Sequence, residues 1–208
     1  MSLNREDYLL VIWEFLESFG DISEKELADR LKISPPTAHE YLQKLTESGL
    51  IVKNRGDIKF TPEGHTQAVE LVKMHRISEV FAYRFLEIPW EDTHASVMEL
   101  EHLFKGERGD KLFKNLGYPS SCPHGNPTDP LKPEQELAVA FAPENRYILK
   151  RISFEEKNLL KSLASLNCLP GSVVNLIKDG TNIILSTENG EIRIPDNLSL
   201  SVRLSRIA

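Results

Sequence analysis

The segment from residue 34 to residue 62 constrains the fold most, because helix and turn signals follow one another there at short range. Ser34 followed by Pro35 is a favoured helix start, with a serine cap and a proline in the first turn. Gly49 marks the end of this helix. Two short runs of β-type residues then flank turn formers at residues 54–57, before a Thr-Pro pair opens another helix. The segment therefore predicts a helix, a β-hairpin and a further helix.

Two shorter amphipathic helices are predicted before this segment. Asn4 caps a stretch of apolar residues at helical spacing that ends near Phe19. Ser23 and Glu26 form a capping box that opens a second, short helix. Three helices followed by a hairpin is the order of a winged helix-turn-helix. In that fold the third helix enters the major groove of DNA and the hairpin, or wing, lies along the backbone.

The polar face of the third helix and the predicted wing supply candidate DNA contacts. The net charge of the chain is −6, so DNA affinity requires a local basic patch, and residues 30–59 hold six cationic residues against three anionic ones. We expect Glu40 to accept a hydrogen bond from a cytosine amino group and Pro36 to touch a thymine methyl group. The candidates are Ser34, Pro36, Thr37, His39, Glu40 and Lys44 on the helix, and Lys53, Arg55 and Lys59 on the wing. A solvated basic surface on a three-helix fold, or a winged helix that binds protein, is the alternative.

The remainder of the chain predicts further helices and then a β-rich module. Residues 62–86 and 93–105 have helical periodicity and fit an α-helical dimer domain. Residues 118–136 are rich in proline and lack periodicity, which indicates a linker or an irregular loop. From about residue 145, short β-type runs separated by Asp-Gly and Asn-Gly turns predict a small β-barrel-like module with one helical insert at 155–166. The predicted domains are 1–62, 63–117, 118–136 (linker) and 137–208.

Two helical segments carry metal-ligand residues at spacings that place them on common helix faces. These residues are His75 and Glu79 in the first segment, and His94, Met98, Glu101 and His102 in the second. Imidazole and carboxylate suit a borderline divalent cation such as Fe²⁺ or Mn²⁺, a thioether favours iron, and Zn²⁺ stays open. Each residue also has an ordinary explanation as part of a solvated helix face, and Met98 as a core side chain. Asp7, likewise, is placed to satisfy the start of the first helix.

Cysteine usage and the absence of long apolar runs point to a cytoplasmic protein. The chain has two cysteines, Cys122 and Cys168, and no signal-peptide pattern at its start. Isolated structural thiols are the expected role for both. The longest apolar runs are far shorter than the roughly 18 residues that a membrane span needs. We therefore expect a chain in the reducing cytoplasm with no membrane partner.

Several motifs together resemble the iron- and manganese-dependent repressor family, typified by the diphtheria toxin repressor. The similarity extends over nearly the whole chain. The motifs are EDYLLVIWEF, LKISPPTAHEYLQKL, LTESGLIV leading to FTPEG, HRISEVF, ELEHLF and CPHGNP. The ELEHLF and CPHGNP motifs, with the histidine helix, are the most specific of these.

This resemblance implies a homodimeric repressor of metal-homeostasis genes that binds a palindromic DNA operator and holds two metal sites per subunit. The implied primary site is Asp7, Met98, Glu101 and His102, and the implied ancillary site is His75, Glu79 and His94. Glu156 is our choice for a further carboxylate from the C-terminal module. That module corresponds to the SH3-like domain that the iron-type members carry. The implied fold is thus mainly α, with a winged helix-turn-helix, a helical dimerisation and metal-binding domain and a small SH3-like β-barrel.

Two positions depart from the family pattern. Iron-type relatives have methionine where this chain has Asp7 and cysteine where it has Met98, whereas manganese-type relatives have aspartate and glutamate there. Leu10 stands where the manganese type has an additional glutamate. The hybrid set favours Fe²⁺ first and Mn²⁺ second. Two alternative functions stay open: a winged-helix regulator that responds to a non-metal ligand, and a metal-dependent hydrolase in which the ion activates water.

Overall fold

The computed structural model describes residues 4–54, 57–98, 100–132 and 135–207. The chain divides into two compact units, Met1–Lys73 and Met74–Ala208, and the division falls inside a long helix, Pro62–Phe85. No helix within the described ranges is long and apolar enough to cross a membrane.

The first unit is a winged helix-turn-helix, as predicted. Its elements are α1 (Arg5–Phe19), α2 (Glu24–Leu31), α3 (Pro35–Glu47), β1 (Ile51–Asn54), β2 (Asp57–Phe60) and the first half of α4 (Pro62–Phe85). Asn4, Ser23 and Ser34 cap the first three helices through their side chains, and the first two caps are complete capping boxes. These caps satisfy backbone N–H groups that a helix start leaves without a partner, so they fix where each helix begins.

The core of the first unit lies among its three short helices. Tyr8 of α1 stacks on Tyr41 of α3, with their ring centroids 4.1 Å apart. Buried apolar side chains from α1, α2, α3 and β2 also belong to this core: Leu9, Ile12, Leu27, Ala38, Leu42, Leu45 and Ile58. Because Ala38, Leu42 and Leu45 face inward, the opposite side of α3 is left in solvent.

The wing is a two-stranded antiparallel hairpin held close to the start of α4. Its register pairs Asn54 with Asp57, and the connecting residues 55–56 lie outside the described ranges. At the base of the hairpin, Thr61 donates its backbone N–H to the carbonyl of Leu50 at 3.0 Å. A Cβ at Gly64 would lie 1.8 Å from that same carbonyl oxygen, so only glycine fits at this close approach.

The helical part of the second unit contains shorter helices than the sequence predicts. After the second half of α4 come α5 (Thr93–Val97) and α6 (Glu107–Asn115), with short 3₁₀ turns at Trp90–Asp92 and Glu101–Leu103. The prediction of one helix over residues 93–105 was therefore wrong. A helix of five residues is too short to be stable by itself, so tertiary packing of buried Val97, not periodicity, sets where it ends.

Residues 118–132 form an irregular loop, one of the two forms expected from the sequence, and this loop is packed. Cys122 donates its backbone N–H to the carbonyl of Asn126 at 2.8 Å, and Ser121 and Pro127 form an isolated β-bridge. His124 and Asn126 are buried. The prolines break periodicity without preventing packing, because the backbone groups find partners inside the loop and on neighbouring elements.

The C-terminal part of the second unit is a six-stranded antiparallel sheet in the order β3-β8-β4-β5-β6-β7, consistent with the predicted SH3-like module. The strands are β3 (Leu137–Ala138), β4 (Asn145–Ile152), β5 (Val173–Asp179), β6 (Asn182–Thr187), β7 (Gly190–Ile194) and β8 (Val202–Arg206). The predicted helical insert is α7 (Lys157–Ser165), which follows β4. The register of β4 against β8 shifts between Leu149 and Arg151, which marks a β-bulge near the end of β4.

Candidate DNA interface and metal centre

The exposed side of α3 carries the helix residues predicted to contact DNA. Pro36, His39, Glu40 and Lys44 are exposed, and Thr37 is half-buried. The hydroxyl of Ser34 caps the helix by accepting from the backbone N–H of Thr37, and the two hydroxyls lie 2.8 Å apart. The arrangement leaves a polar surface at the N-terminal half of α3, where a recognition helix presents its side chains to base edges.

Ion pairs tie this surface together. Glu24 at the start of α2 accepts hydrogen bonds from Lys53 of the wing and from the His39 ring at 3.0 Å. The hydrogen bond from Lys53 is the main reason why the pKa of Glu24 is lowered. Glu40 and Lys44 pair one helical turn apart at 2.7 Å. The wing lysine Lys59 lies 3.3 Å from Asp57, and Arg55, predicted to contact phosphate, lies outside the described residues.

The residues of the implied primary metal site are distributed over the two units. Asp7 is buried in the first unit, where its carboxylate accepts from the backbone N–H of Asn4 at 2.6 Å and completes the capping box of α1. Met98 and His102 lie in the second unit, both half-buried. The side chain of Glu101 lies outside what the structure describes. The primary set therefore stays a prediction.

The implied ancillary residues are brought together inside the second unit. His75 and Glu79 lie one turn apart on α4, with Nε2 of His75 3.3 Å from Oε1 of Glu79. His94 on α5 reaches the same point, since its Nδ1 lies 3.0 Å from Nε2 of His75 and 3.6 Å from Oε1 of Glu79. His75 and Glu79 are buried, which distinguishes this group from an exposed helix pair.

Three further residues, none of them predicted as a ligand from the sequence, complete this cluster. His124 of the packed loop places Nδ1 3.4 Å from Glu79 Oε1 and 3.0 Å from Glu155 Oε2. Glu155 also lies 3.0 Å from Nδ1 of His94. Cys122 joins Glu79, His124 and Glu155 in a second group whose ligand atoms all lie within 4.8 Å of one another. The CPHGNP motif, quoted only as a resemblance, contained both loop residues.

The carboxylate that the C-terminal module brings to the cluster is that of Glu155, not the Glu156 chosen from the sequence. Glu156 is the N-cap of α7, and its side chain accepts from the backbone N–H of Leu159 at 2.9 Å. The side chain of Glu156 is thus engaged at the helix start, while that of Glu155 is buried. A glutamate three residues before Leu159 is placed to cap the helix start, and this spacing distinguishes Glu156 from Glu155.

The charges in the cluster are strongly coupled. Burial alone would raise the pKa of Glu79, but the charge of His124 and the nearby imidazoles of His75 and His94 outweigh it and hold the pKa well below its usual range. Burial opposes the charged form of His124 too, but Glu155 and Glu79 raise its pKa well above the usual value. Burial and the nearby Glu79 charge raise the pKa of the Cys122 thiol to about 12. The two buried carboxylates thus stabilise positive charge within the cluster.

The buried donor atoms of the cluster fit a divalent metal ion. Both carboxylate oxygens of Glu79, Oε2 of Glu155 and Nδ1 of His124 are buried and make no well-formed hydrogen bond within the described part of the chain, although they lie close together. Nε2 of His124 lies 3.0 Å from the carbonyl oxygen of Trp90, which can only accept, so this nitrogen carries the proton. Metal-ligating histidines are commonly oriented by such a bond, which leaves the other nitrogen for the ion.

Comparison with known proteins identifies a DNA-binding domain and a metal-binding domain in this chain. A family model described as the iron dependent repressor, N-terminal DNA binding domain, matches residues 1–56. A second model, described as the iron dependent repressor, metal binding and dimerisation domain, matches residues 61–130. The diphtheria toxin repressor of Corynebacterium jeikeium (strain K411) is 25% identical over 231 residues, which cover 97% of this chain and 96% of that protein.

Solved structures share the fold over the full length. The crystal structure of T. acidophilum IdeR superposes with a TM-score of 0.88 at 24% identity, covering 100% of both chains. The structure of the manganese regulator SloR gives a TM-score of 0.87 at 25% identity, again over 100% of both chains. The DNA-binding model thus matches the winged helix, and the metal-binding model matches the segment that holds most of the ligand cluster. The chain therefore belongs to the iron-dependent repressor family and is a divalent-metal-dependent, DNA-binding transcriptional repressor rather than an enzyme.

Proposed function

We propose that this repressor senses Fe²⁺, with Mn²⁺ as its second metal, and blocks cytoplasmic transcription of metal-homeostasis genes when the metal is bound. The observation that carries the proposal is the buried cluster around α4, where imidazoles and carboxylates converge and the carboxylate oxygens of Glu79 make no well-formed hydrogen bond within the described part of the chain. Leaving such groups buried without a cation costs free energy, which metal binding recovers. The cluster therefore gives the protein a built-in requirement for a cation.

The cluster offers two overlapping ligand groups. One is His75, Glu79, His94 and Glu155, and the other is Glu79, Cys122, His124 and Glu155. Glu79 and Glu155 belong to both groups, so we assign these two carboxylates as ligands shared by both. The imidazoles of α4 and α5 give a harder donor set, and the thiol of Cys122 gives a softer one.

We assign Asp7, Met98, Glu101 and His102 to a second, primary site. The support is the match of the metal-binding family model over residues 61–130 and the buried carboxylate of Asp7. Ligands from α1 and from the helical domain would link metal binding to the position of the winged helix. When bound, the ion would supply positive charge that holds these side chains together.

The donor chemistry and the relatives favour iron and manganese. Nitrogen and oxygen donors suit both ions, and a thioether at Met98 favours iron. One matched family model is named for iron, while SloR is described as a manganese regulator. Zn²⁺ also suits a four-donor set of imidazoles and carboxylates, so it is expected to bind in vitro.

On the DNA side we propose readout by the exposed face of α3 and phosphate contacts from the wing. Ser34, Pro36, Thr37, His39, Glu40 and Lys44 would face the bases, with Lys53, Arg55 and Lys59 on the backbone. A homodimer places two such helices about one DNA turn apart, so the operator is expected to be palindromic. Metal shifts the dimer toward this state by its preference for the DNA-competent conformation.

The metal assignment is tested by replacing Glu79, the residue that faces all three imidazoles. Calorimetric titration of the full chain with Mn²⁺, and with Fe²⁺ under anaerobic conditions, should show tight binding. Glu79→Gln should weaken it by more than about 100-fold, beyond the effect of an outer-shell change. Glu70→Gln, an exposed position of the same helix, is the matched control and should bind as the wild type does. Equal affinity of the Glu79 and Glu70 variants would refute the assignment.

A further inference from the structure

We infer that Asn126 is a positioning residue for the metal centre, whose side-chain amide holds Glu155 so that one oxygen faces the imidazoles. A largely buried ion pair behind it, Glu136 with Arg151, fixes the orientation of that amide. The inference rests on the proposed metal site and adds the residues that set its geometry. All of them lie within the second unit.

The two oxygens of Glu155 have separate partners. Nδ2 of Asn126 donates to Oε1 at 2.7 Å and also to the backbone carbonyl of Ile152 at 2.8 Å. The other oxygen, Oε2, lies 3.0 Å from the ring nitrogens of both His94 and His124. Asn126 is only 1% exposed, so water does not compete for these bonds. The carboxylate is therefore limited to one free oxygen for a ligand.

The orientation of the amide follows from its other neighbour. Oδ1 of Asn126 lies 3.2 Å from Nη1 of Arg151, and a guanidinium can only donate. The opposite orientation would place the NH₂ group against these donors, so Nδ2 must face Glu155. Arg151 is itself held by a two-bond fork to Glu136, at 2.8 Å from Nε and 2.7 Å from Nη2. A bidentate, buried pair of this kind has little rotational freedom.

The backbone holds the loop and strand β4 in register for this contact. Ile152 donates its N–H to the carbonyl of His124 at 3.0 Å. Gly125 has a φ of +84°, and a Cβ there would lie 2.3 Å from the carbonyl oxygen of Lys150. Lys150 lies in the β-bulge between Leu149 and Arg151. Loop and strand are thus fixed so closely that Asn126 and Glu155 meet with little freedom to adjust.

The path from Glu136 through Arg151 and Asn126 ends on a proposed ligand. Outer-shell groups that hold a ligand typically contribute about 10–100-fold to metal affinity. Asn126→Asp keeps the size of the side chain but replaces its donor with a second carboxylate beside Oε1 of Glu155. We expect Mn²⁺ and Co²⁺ to bind this variant about 10–100-fold more weakly than the wild type.

A double-mutant cycle shows whether Asn126 acts through Glu155. In the Glu155→Gln background, the amide introduced at position 155 can donate to the carboxylate introduced by Asn126→Asp, so the second change should cost nothing further. The experiment titrates the full chain with Co²⁺ and follows both affinity and the visible spectrum of the bound ion. Lys157→Ala, which removes a surface ion pair to Asp92, is the control and should leave both unchanged.

The outcomes separate the two claims. Absence of metal binding to the wild type would refute the proposed function and this inference with it. Tight wild-type binding with an unchanged Asn126→Asp affinity and spectrum would overturn the inference alone, as would an equal loss in the Glu155→Gln background. If Asn126→Asp does not fold, Arg151→Lys is the second variant, because lysine cannot form the fork to Glu136 and Asn126. Its Mn²⁺ affinity should fall in the same direction, and an unchanged value would contradict the inference.

Discussion

Glu24 links the two parts of the DNA-binding surface through a single carboxylate. It accepts hydrogen bonds from Lys53 on the wing and from His39 on α3. A DNA phosphate would present oxygens of the same charge to the same two side chains. Glu24 therefore orders these side chains and would compete with DNA for them in the proposed readout.

Replacing Glu24 should strengthen DNA binding. Glu24→Gln removes the competing charge, so Lys53 is free to neutralise a phosphate. We expect tighter binding of a non-specific duplex. The slope of log affinity against log salt concentration should become steeper by about the amount that one further phosphate contact contributes. Fluorescence anisotropy over a salt series measures both. Glu70→Gln, on an exposed face of α4, is the control for a simple change of net charge. An identical effect of the two variants would show that Glu24 does not compete with phosphate.

At the same scale, residue type and spacing predicted part of the metal centre. His75, Glu79 and His94 were assigned from helical spacing together with the family resemblance, and the structure brings them together. Glu155 was missed in favour of Glu156, because adjacent glutamates look alike until the start of α7 is fixed. His124 and Cys122 were not predicted to join the cluster, because a loop has no periodicity from which to infer a common face.

Among the elements, those with strong local signals matched their prediction best. The helix starts at Asn4, Ser23 and Ser34 follow directly from side-chain caps. The break after α5 and the packing of the loop at 118–132 depend on contacts with distant segments, which no local pattern contains. Gly125 shows this well, because its φ of +84° and its close approach to β4 arise from packing against Lys150.

Gly125→Ala should destabilise the second unit and weaken metal binding. Alanine at this φ is strained by about 1–3 kcal/mol, and its Cβ would also collide with the carbonyl of Lys150. Gly171→Ala is the matched control, since Gly171 also has a positive φ, +98°, but nothing within 4 Å of the added Cβ. Urea unfolding should show a larger loss of unfolding free energy for Gly125→Ala, and calorimetry a loss of Mn²⁺ affinity for it alone. Equal losses for both variants would show that the loop does not depend on this contact.

On the scale of the whole molecule, the metal cluster joins segments that are far apart in sequence. Its side chains come from α4, α5, the packed loop and the segment between β4 and α7, from residue 75 to residue 155. The fold class was predictable, because the winged-helix order and the β-type runs are local patterns repeated along the chain. The complete cluster was not predictable, because it forms only when the C-terminal module packs beside α4.

This arrangement makes metal binding a property of the folded second unit rather than of one helix. A ligand that binds only the folded state stabilises it, by about 2.7 kcal/mol at a free concentration 100 times its dissociation constant. Only the part of the binding free energy that differs between the two conformations biases the dimer toward its operator-binding state. A coupling of 1–3 kcal/mol would change DNA affinity by roughly 5–150-fold.

The most direct test is operator binding with and without metal. A duplex enriched from a random pool in the presence of Mn²⁺ should be palindromic. Its affinity for the wild type should be roughly 5–150-fold higher with Mn²⁺ or Fe²⁺ than with a chelator. Asp7→Ala and His102→Ala should lose this response while retaining the chelator-level affinity. Equal affinity of the wild type in both conditions, or an unchanged metal response in both variants, would contradict the account.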